Sequence, residues 1–156
     1  MFNTFTLSSY LEVTMKTNEA MTTLLLKTKP SGGSNNDEYT HFVEWDGCIL
    51  ISSFARDLPS SFDKTTYSDR TDCETSINHL HLENLSIALG IIDVWEKTLR
   101  RNFSGREFNI VVSCELDGTE AVARFYRLRP DEVAWMNEEN DLENYEHEAI
   151  LLLKVH

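Results

Sequence analysis

One long apolar stripe with helical spacing constrains this fold more than any other feature of the 156-residue sequence. Its members recur at helical spacing, mostly three or four residues apart: Leu85, Ala88, Leu89, Ile92, Trp95, Leu99 and Phe103, widened by Ile87, Ile91 and Val94. Residues at this spacing share one face of a helix, so the pattern predicts a helix from about Asn84 to Asn102 that packs against a sheet. Arg100 and Arg101 fall in its last turn, where cations interact favourably with the helix dipole, and Gly105 follows as a stop signal.

An Asp-Gly dipeptide predicts a hairpin after this helix. Asp117-Gly118 joins two β-rich segments, Glu107–Leu116 and Thr119–Leu128, and Asp-Gly readily supplies the positive φ angles of a two-residue turn. That turn sets the cross-strand pairs of one apolar face as Cys114–Ala121, Val112–Ala123, Ile110–Phe125 and Phe108–Arg127. The alanines on this face predict a close approach of the helix. On the opposite face the same register places Glu115 beside Glu120, a mildly destabilising like-charge pair.

The remaining β-rich segments extend the sheet. The predicted strands are Tyr10–Lys16, Met21–Lys29, Tyr39–Trp45, Cys48–Phe54 and Glu148–Val155, the third and fourth joined as a hairpin through Asp46-Gly47. A mobile loop is expected near residues 30–37 and a long connection near residues 55–76, and short acidic helical turns are expected between Asp131 and Tyr145. The predicted fold is α+β: a single globular domain over residues 1–156, with a mainly antiparallel sheet of five to seven strands packed on one long helix.

The charge of the chain excludes several classes of partner. Its 26 acidic and 14 basic residues give a formal net charge of −12, which opposes binding to nucleic acid or anionic lipid. No apolar run reaches the roughly 18 residues of a membrane span, and Met1–Thr6 lacks the basic and apolar blocks of a secretory signal. Cys48, Cys73 and Cys114 lack paired spacing, which indicates buried thiols rather than a disulfide. We therefore expect a cytoplasmic protein.

The acidic residues concentrate near the C-terminus. Eight acids and no Lys or Arg lie between Asp131 and Glu148, whereas Lys97–Arg129 is comparatively basic. Such a cluster binds a basic partner, pairs with the chain's own Arg100, Arg101 or Arg129, or is simply a solvated face. The sequence predicts the first, with the partner-binding residues Glu138, Glu139, Asp141, Glu143 and the neighbouring Trp135. Trp135 itself either anchors the segment or forms part of the binding surface.

Residues suited to catalysis are few. In an extended segment His79, His81 and Glu83 would share one side with ligand types that suit zinc, but no further ligand lies nearby in sequence. The chain has no G-x-S-x-G motif and no phosphate-binding loop, because Gly32-Gly33 is followed by neither Lys nor a helix start. We expect no catalytic residue, no metal and no cofactor. The alternative is a small hydrolase or metal-dependent enzyme that uses these histidines together with carboxylates.

The C-terminal third resembles the endings of small bacterial immunity proteins that neutralise polymorphic toxins. The similar residues are Phe125, Arg129, Glu132 and Trp135, then Asp141–Tyr145 and Glu148–Leu153. The resemblance implies a cytoplasmic, non-enzymatic protein that binds a cognate toxin domain and blocks its active site or a nearby exosite. Toxins that attack nucleic acid carry basic clefts, to which an acidic inhibitor is steered electrostatically. The remaining alternative is a regulatory domain that binds another protein.

Overall fold

The computed structural model describes residues 15–31, 37–136 and 142–156. Within them the helices are α1 (Glu19–Leu25), α2 (Arg70–Ile77) and α3 (Leu85–Asn102). The strands are β1 (Met15–Thr17), β2 (Phe42–Trp45), β3 (Cys48–Ile51), β4 (His79–Asn84), β5 (Phe108–Cys114), β6 (Thr119–Arg127) and β7 (Ala149–Val155). Five strands form one antiparallel sheet in the order β1-β7-β5-β6-β4. This confirms the predicted α+β fold with its single long helix.

Helix α3 forms where the apolar stripe predicts it. The Asn84 side chain caps its start by accepting a 3.0 Å hydrogen bond from the backbone N–H of Ile87. Leu89 and Trp95 are fully buried against the sheet, in one core cluster with the apolar residues of β5 and β6. Val94 is 41% exposed, so the stripe is narrower than predicted. The side of the sheet that α3 covers is called the helix face below.

The hairpin of β5 and β6 has the predicted register, reached through a different turn. Phe108, Ile110 and Val112 face Arg127, Phe125 and Ala123, as expected. The loop, however, contains three residues, because Glu115 donates its backbone N–H to the carbonyl of Thr119. Glu120, with a φ of 49°, is an extra residue that restores the register, so the ladder stops at Ser113–Val122. The predicted Glu115–Glu120 pair was therefore wrong, and the predicted Cys114–Ala121 pair lies one step beyond the end of the ladder.

The N-terminal segments differ most from the prediction. Helix α1 occupies most of the predicted strand Met21–Lys29, because Asn18 accepts a 3.0 Å hydrogen bond from the Met21 N–H and so caps a helix. The same side-chain oxygen accepts from the N–H of Ile150, and the amide nitrogen of Asn18 donates to the carbonyl of Glu148 (2.8 Å). These contacts with the last strand override the local β preference. Of the predicted strand Tyr10–Lys16, residues 10–14 lie outside the described residues.

The predicted hairpin through Asp46-Gly47 is present, but β2 and β3 form a separate two-stranded sheet. The predicted long connection near residues 55–76 contains most of α2, which Asp69 caps by accepting a 2.7 Å hydrogen bond from the Asp72 N–H. The predicted loop near residues 30–37 falls mainly on residues 32–36, which lie outside the described residues.

A buried ion pair joins these peripheral elements to the sheet. Glu74 of α2 is fully buried, and both of its oxygens accept hydrogen bonds from Arg129, at 2.8 and 2.9 Å. The same carboxylate accepts from the backbone N–H groups of Ile49 (2.8 Å) and Arg127 (2.9 Å), while Arg129 donates to the carbonyl of Gly47 (2.9 Å). Burial opposes the charge of Arg129, but the Glu74 carboxylate raises the arginine pKa above its ordinary value. Glu74 and Arg129 thus act as a structural clamp.

Candidate interaction site on the sheet

The side of the main sheet away from α3 carries a pocket of about 340 Å³, called the sheet-face pocket below. Its floor is formed by Val111, Ser113, Val122 and Arg124 of β5 and β6. Its walls are formed by Trp135, Met136, Tyr145, Glu148 and Ile150. The strands bring these residues together because alternate side chains point to opposite faces, so the neighbours of the buried helix-face residues must line the other side.

Trp135 is the most prominent aromatic residue of the pocket. It is 44% exposed, yet its ring packs edge-on against Tyr126 with ring centroids 6.3 Å apart. Tyr126 is fully buried, and its hydroxyl oxygen accepts hydrogen bonds from the Asn109 side chain (3.0 Å) and from the Met136 N–H (3.3 Å). The indole is therefore held in place by a rigid neighbour while nearly half of its surface faces solvent.

Arg124 also contacts Trp135. Its guanidinium carbon lies 4.7 Å from the centre of a Trp135 ring, a cation–π contact, and its Nη1 donates a 2.8 Å hydrogen bond to the carbonyl of Thr75. The side chain is partly buried, and burial lowers the arginine pKa from its ordinary value. The pocket thus combines apolar walls, an aromatic ring and a positively charged group.

A family model described as the Uncharacterized protein PM0498 family matches residues 16–156. This chain belongs to that family. No curated protein and no solved structure matches it. The matched range includes every residue that lines the sheet-face pocket, so the pocket lies within the part of the chain that the PM0498 family shares.

The predicted partner-binding residues of this PM0498 family member fall into two groups. Trp135 lines the sheet-face pocket, and the exposed Glu143 lines a second cleft, of about 380 Å³, at the start of α1. Tyr145 lines both clefts. Glu138, Glu139 and Asp141 lie outside the described residues.

Internal pairing accounts for one of the described acids of the C-terminal cluster. Glu132 accepts 2.8 Å hydrogen bonds from the backbone N–H and the hydroxyl of Thr71, and lies 4.0 Å from Arg129. Burial opposes ionisation here, but these hydrogen bonds and the charge of Arg129 lower the pKa of Glu132. Arg100 forms an ion pair with Glu96 of its own helix. Among the described acids of the cluster, Asp131, Glu143, Glu146 and Glu148 remain exposed.

Strand β4 places the histidines as expected for an extended segment, with Leu80 buried and both His81 and Glu83 exposed. The rings of His79 and His81 lie 5.3 Å apart, and His79 Nδ1 donates a 2.9 Å hydrogen bond to the carbonyl of Ser76. Burial, together with the charge of Arg124, lowers the pKa of His79. Within residues 15–31, 37–136 and 142–156 no three His, Cys, Asp or Glu side chains are arranged to hold a metal ion.

The cysteines are buried and free, as the sequence predicts. Burial raises the pKa of Cys114 to about 11. A hydrogen bond with Cys73, together with burial, raises the pKa of Cys48. Cys48 and Cys114 therefore lack the lowered pKa that a nucleophilic thiol requires.

The sequence did not single out Ser113, Arg124, Tyr145 and Glu148 as pocket residues. The signal for two of them was present, because the predicted hairpin register already placed Ser113 and Arg124 on the face opposite to the apolar one. What local sequence could not show is that the segment around Trp135 folds back over that face.

In the described part of the chain, no helix has both the length and the apolar character needed to span a membrane.

Proposed function

We propose that this protein is a cytoplasmic, non-enzymatic inhibitor, an immunity protein that binds and neutralises a cognate bacterial toxin. Its partner surface is centred on Trp135 and extends over the exposed acids of the C-terminal cluster. The observation that supports this most is the half-exposed Trp135 ring, which Tyr126 and Arg124 hold in place beside an open pocket.

A fixed, half-exposed tryptophan suits a protein interface. Tryptophan and arginine are enriched among the residues that dominate binding energy, typically where a pocket lies at the centre of the contact. Because the contacts of Trp135 with Tyr126 and Arg124 already restrict the indole, little side-chain entropy is lost on binding. The ring is therefore available to a partner at low entropic cost.

The charge around Trp135 indicates the kind of partner. Glu148 lines the same pocket, and Glu143 and Glu146 line the adjoining cleft. All three are exposed, and the whole chain carries a net charge of −12. A basic surface, such as the cleft of a toxin that attacks nucleic acid, would be attracted to this region and its association accelerated at low salt.

The alternative as an enzyme receives less support from the described residues. Glu74 and Arg129 are engaged in structural hydrogen bonds, and the pKa values of Cys48 and Cys114 are raised. The hydrogen bond with Cys48 lowers the pKa of Cys73, but that thiol is fully buried and out of reach of a substrate. The His79–His81 pair has no third protein ligand among the described side chains. A binding role uses groups that are exposed, namely Trp135 and the acids near it.

The test begins with the product of the neighbouring open reading frame, because immunity genes lie directly after toxin genes. Co-expression is expected to relieve the toxicity of that product, and the purified pair is expected to associate in a titration. Trp135→Ala should weaken the complex at least about 10-fold, within the usual range for a central aromatic residue. Val133→Ala, at an exposed position in the same segment, is the matched control and should leave affinity unchanged.

Two outcomes separate the parts of this proposal. If the neighbouring product is neither toxic nor bound, the immunity function is wrong. If it is bound with equal affinity by the wild type and by Trp135→Ala, the function stands and the surface lies elsewhere.

A further inference from the structure

Arg124 of β6 and Arg129, which follows that strand, differ in the groups that interact with their charges. Arg129 bonds both oxygens of Glu74 and lies 4.0 Å from a Glu132 oxygen. Arg124 donates one hydrogen bond, to the carbonyl of Thr75, and stacks on Trp135. Among the described residues no carboxylate lies within ion-pair distance of Arg124.

This difference matters because burying a cation without a counter-ion is costly. A guanidinium carries five N–H donors in a planar fork that fits a carboxylate with two parallel hydrogen bonds. The carbonyl of Thr75 takes one hydrogen bond from Arg124, at Nη1. The group is therefore able to receive an anion without breaking that contact.

The surroundings of Arg124 are those of a small-ligand site. The pocket volume of about 340 Å³ falls in the lower part of the range for ligand pockets, which runs from about 300 to 1,000 Å³. Val111, Val122 and Ile150 provide apolar floor and wall, and Ser113 places a hydroxyl group beside them. Such pockets are mostly apolar, with a few polar groups that fix the orientation of the ligand.

We propose that the sheet-face pocket binds a small monocarboxylic acid with a planar, apolar body. The carboxylate pairs with Arg124, and the body packs between the ring of Trp135 and the apolar floor. Glu148, which lines the same pocket, disfavours a ligand with a second negative charge. This ligand site goes beyond the proposed toxin-binding function and does not depend on it.

Benzoate is a suitable probe, because it is the simplest aromatic monocarboxylate, and benzamide and benzylamine are its neutral and cationic counterparts. Titration of the full chain, followed by tryptophan fluorescence and by calorimetry, is expected to show saturable benzoate binding with a dissociation constant of about 1 mM or tighter. Benzamide and benzylamine should bind at least about 10-fold more weakly, because neither offers an anion to the guanidinium.

Four variants locate the site. Arg124→Gln should weaken benzoate binding at least about 10-fold, whereas Arg106→Gln, which removes the exposed partner of Glu44, should not change it. Ser113→Leu keeps Arg124 but fills the pocket, so it should also abolish binding. Glu148→Gln should strengthen binding about 2-fold or more, because it removes a like charge.

Thermal unfolding of each variant shows that lost binding is not lost folding, and Ser113→Leu tests the site even if Arg124→Gln is unstable. The proposal is overturned if benzoate does not saturate the protein at about 10 mM. It is equally overturned if benzamide competes as well as benzoate, or if both Arg124→Gln and Ser113→Leu bind normally. If benzoate fails while Arg124→Gln weakens the toxin complex, the pocket belongs to the protein interface and the toxin-binding function is retained.

Discussion

The two faces of the main sheet are built from alternate residues of the same strands, yet they differ in character. On the helix face Ala121, Ala123 and Phe125 are covered by α3, and Trp95 is 0% exposed. On the opposite face Arg124 and Val122 line an open pocket below the half-exposed Trp135. The apolar contacts that stabilise the sheet therefore lie mainly on the helix face, and the groups available for binding lie on the opposite face.

The largest effect is expected from the buried clamp. Arg129→Met leaves the Glu74 carboxylate buried without its cation, which should lower the free energy of unfolding by about 3–5 kcal/mol. Arg124→Met, on the pocket face, leaves no described carboxylate unpaired and should cost no more than about 1 kcal/mol. Urea denaturation of both variants measures the difference. Equal losses would show that both arginines serve the fold alike.

The helix face should respond strongly to loss of volume. Leu89→Ala creates a cavity in the core between α3 and the sheet, and its expected cost is about 2–5 kcal/mol. Val94→Ala, on the exposed side of the same helix, is the matched control and should change stability by less than about 0.5 kcal/mol. A loss below about 0.5 kcal/mol for Leu89→Ala would place α3 at the surface.

The close contact between α3 and the backbone at Ser31 provides a further test of how that helix packs. A Cβ atom at Gly90 would meet the carbonyl oxygen of Ser31, whose N–H donates to the carbonyl of Ser86. Gly90→Ala should therefore destabilise the protein by about 1–3 kcal/mol, although alanine normally favours a helix. Gly105→Ala is a poor control, because Gly105 has a positive φ that alanine rarely adopts. Ser86→Ala is the better comparison: it removes only the hydrogen bond from the Ser86 hydroxyl to the carbonyl of Lys29, in the same contact region, and adds no atom. Stabilisation by Gly90→Ala would contradict this packing.

Acid should weaken the attachment of the Trp135 segment through Glu132. Because the folded-state pKa of Glu132 is lowered, its contribution to stability is present above the ordinary glutamate pKa and is lost as the pH falls through the lower folded value. Glu132→Gln should therefore cost about 1 kcal/mol at pH 7 and make unfolding less sensitive to pH below about 5. Unfolding midpoints measured from neutral to acidic pH test this. Parallel curves for the wild type and Glu132→Gln would show that the carboxylate charge plays no part.

The smallest effect on stability is expected at the acidic cluster. Changing Glu138, Glu139, Asp141 and Glu143 together to Lys should move stability by no more than about 0.5 kcal/mol, but slow association with the basic partner about 10-fold or more. Glu143→Lys alone, compared with Glu115→Lys at the β5–β6 turn, provides a pair of variants with equal charge change. A fall in stability with unchanged association would mean that the acids neutralise the protein's own arginines. No change in either quantity would identify a solvated face.

The parts of the fold that follow from sequence are those with local, repeating signals. The apolar spacing from Leu85 to Leu99 predicted α3, and the Asp-Gly dipeptides predicted both hairpins. The predicted register of β5 and β6 was also correct, although the turn differs. The turn has three residues where two were predicted, and the extra residue Glu120 in β6 restores the register. The strand that ends the chain was likewise predicted.

The candidate site was predicted only in part. Trp135 and Glu143 were predicted from their place in an acidic segment, and both line clefts that share Tyr145. Arg124 was not predicted, because in sequence it is one basic residue of a strand. Its significance depends on which carboxylates approach it in the folded chain.

By itself, the sequence determined the long helix, the two hairpins and the apolar face of β5 and β6, because each depends on residues a few positions apart. The formation of α1 and α2 depends on tertiary contacts. Asn18 starts α1 while bonding to Ile150, and the buried Glu74 of α2 is tolerated because Arg129 neutralises it. The sheet-face pocket has the same origin, since the segment with Trp135 lies on Tyr126 and Arg124 only after the strands have paired. Contacts between residues far apart in the chain carry no periodic signal, and the free energy of burial settles them only when the whole domain is assembled.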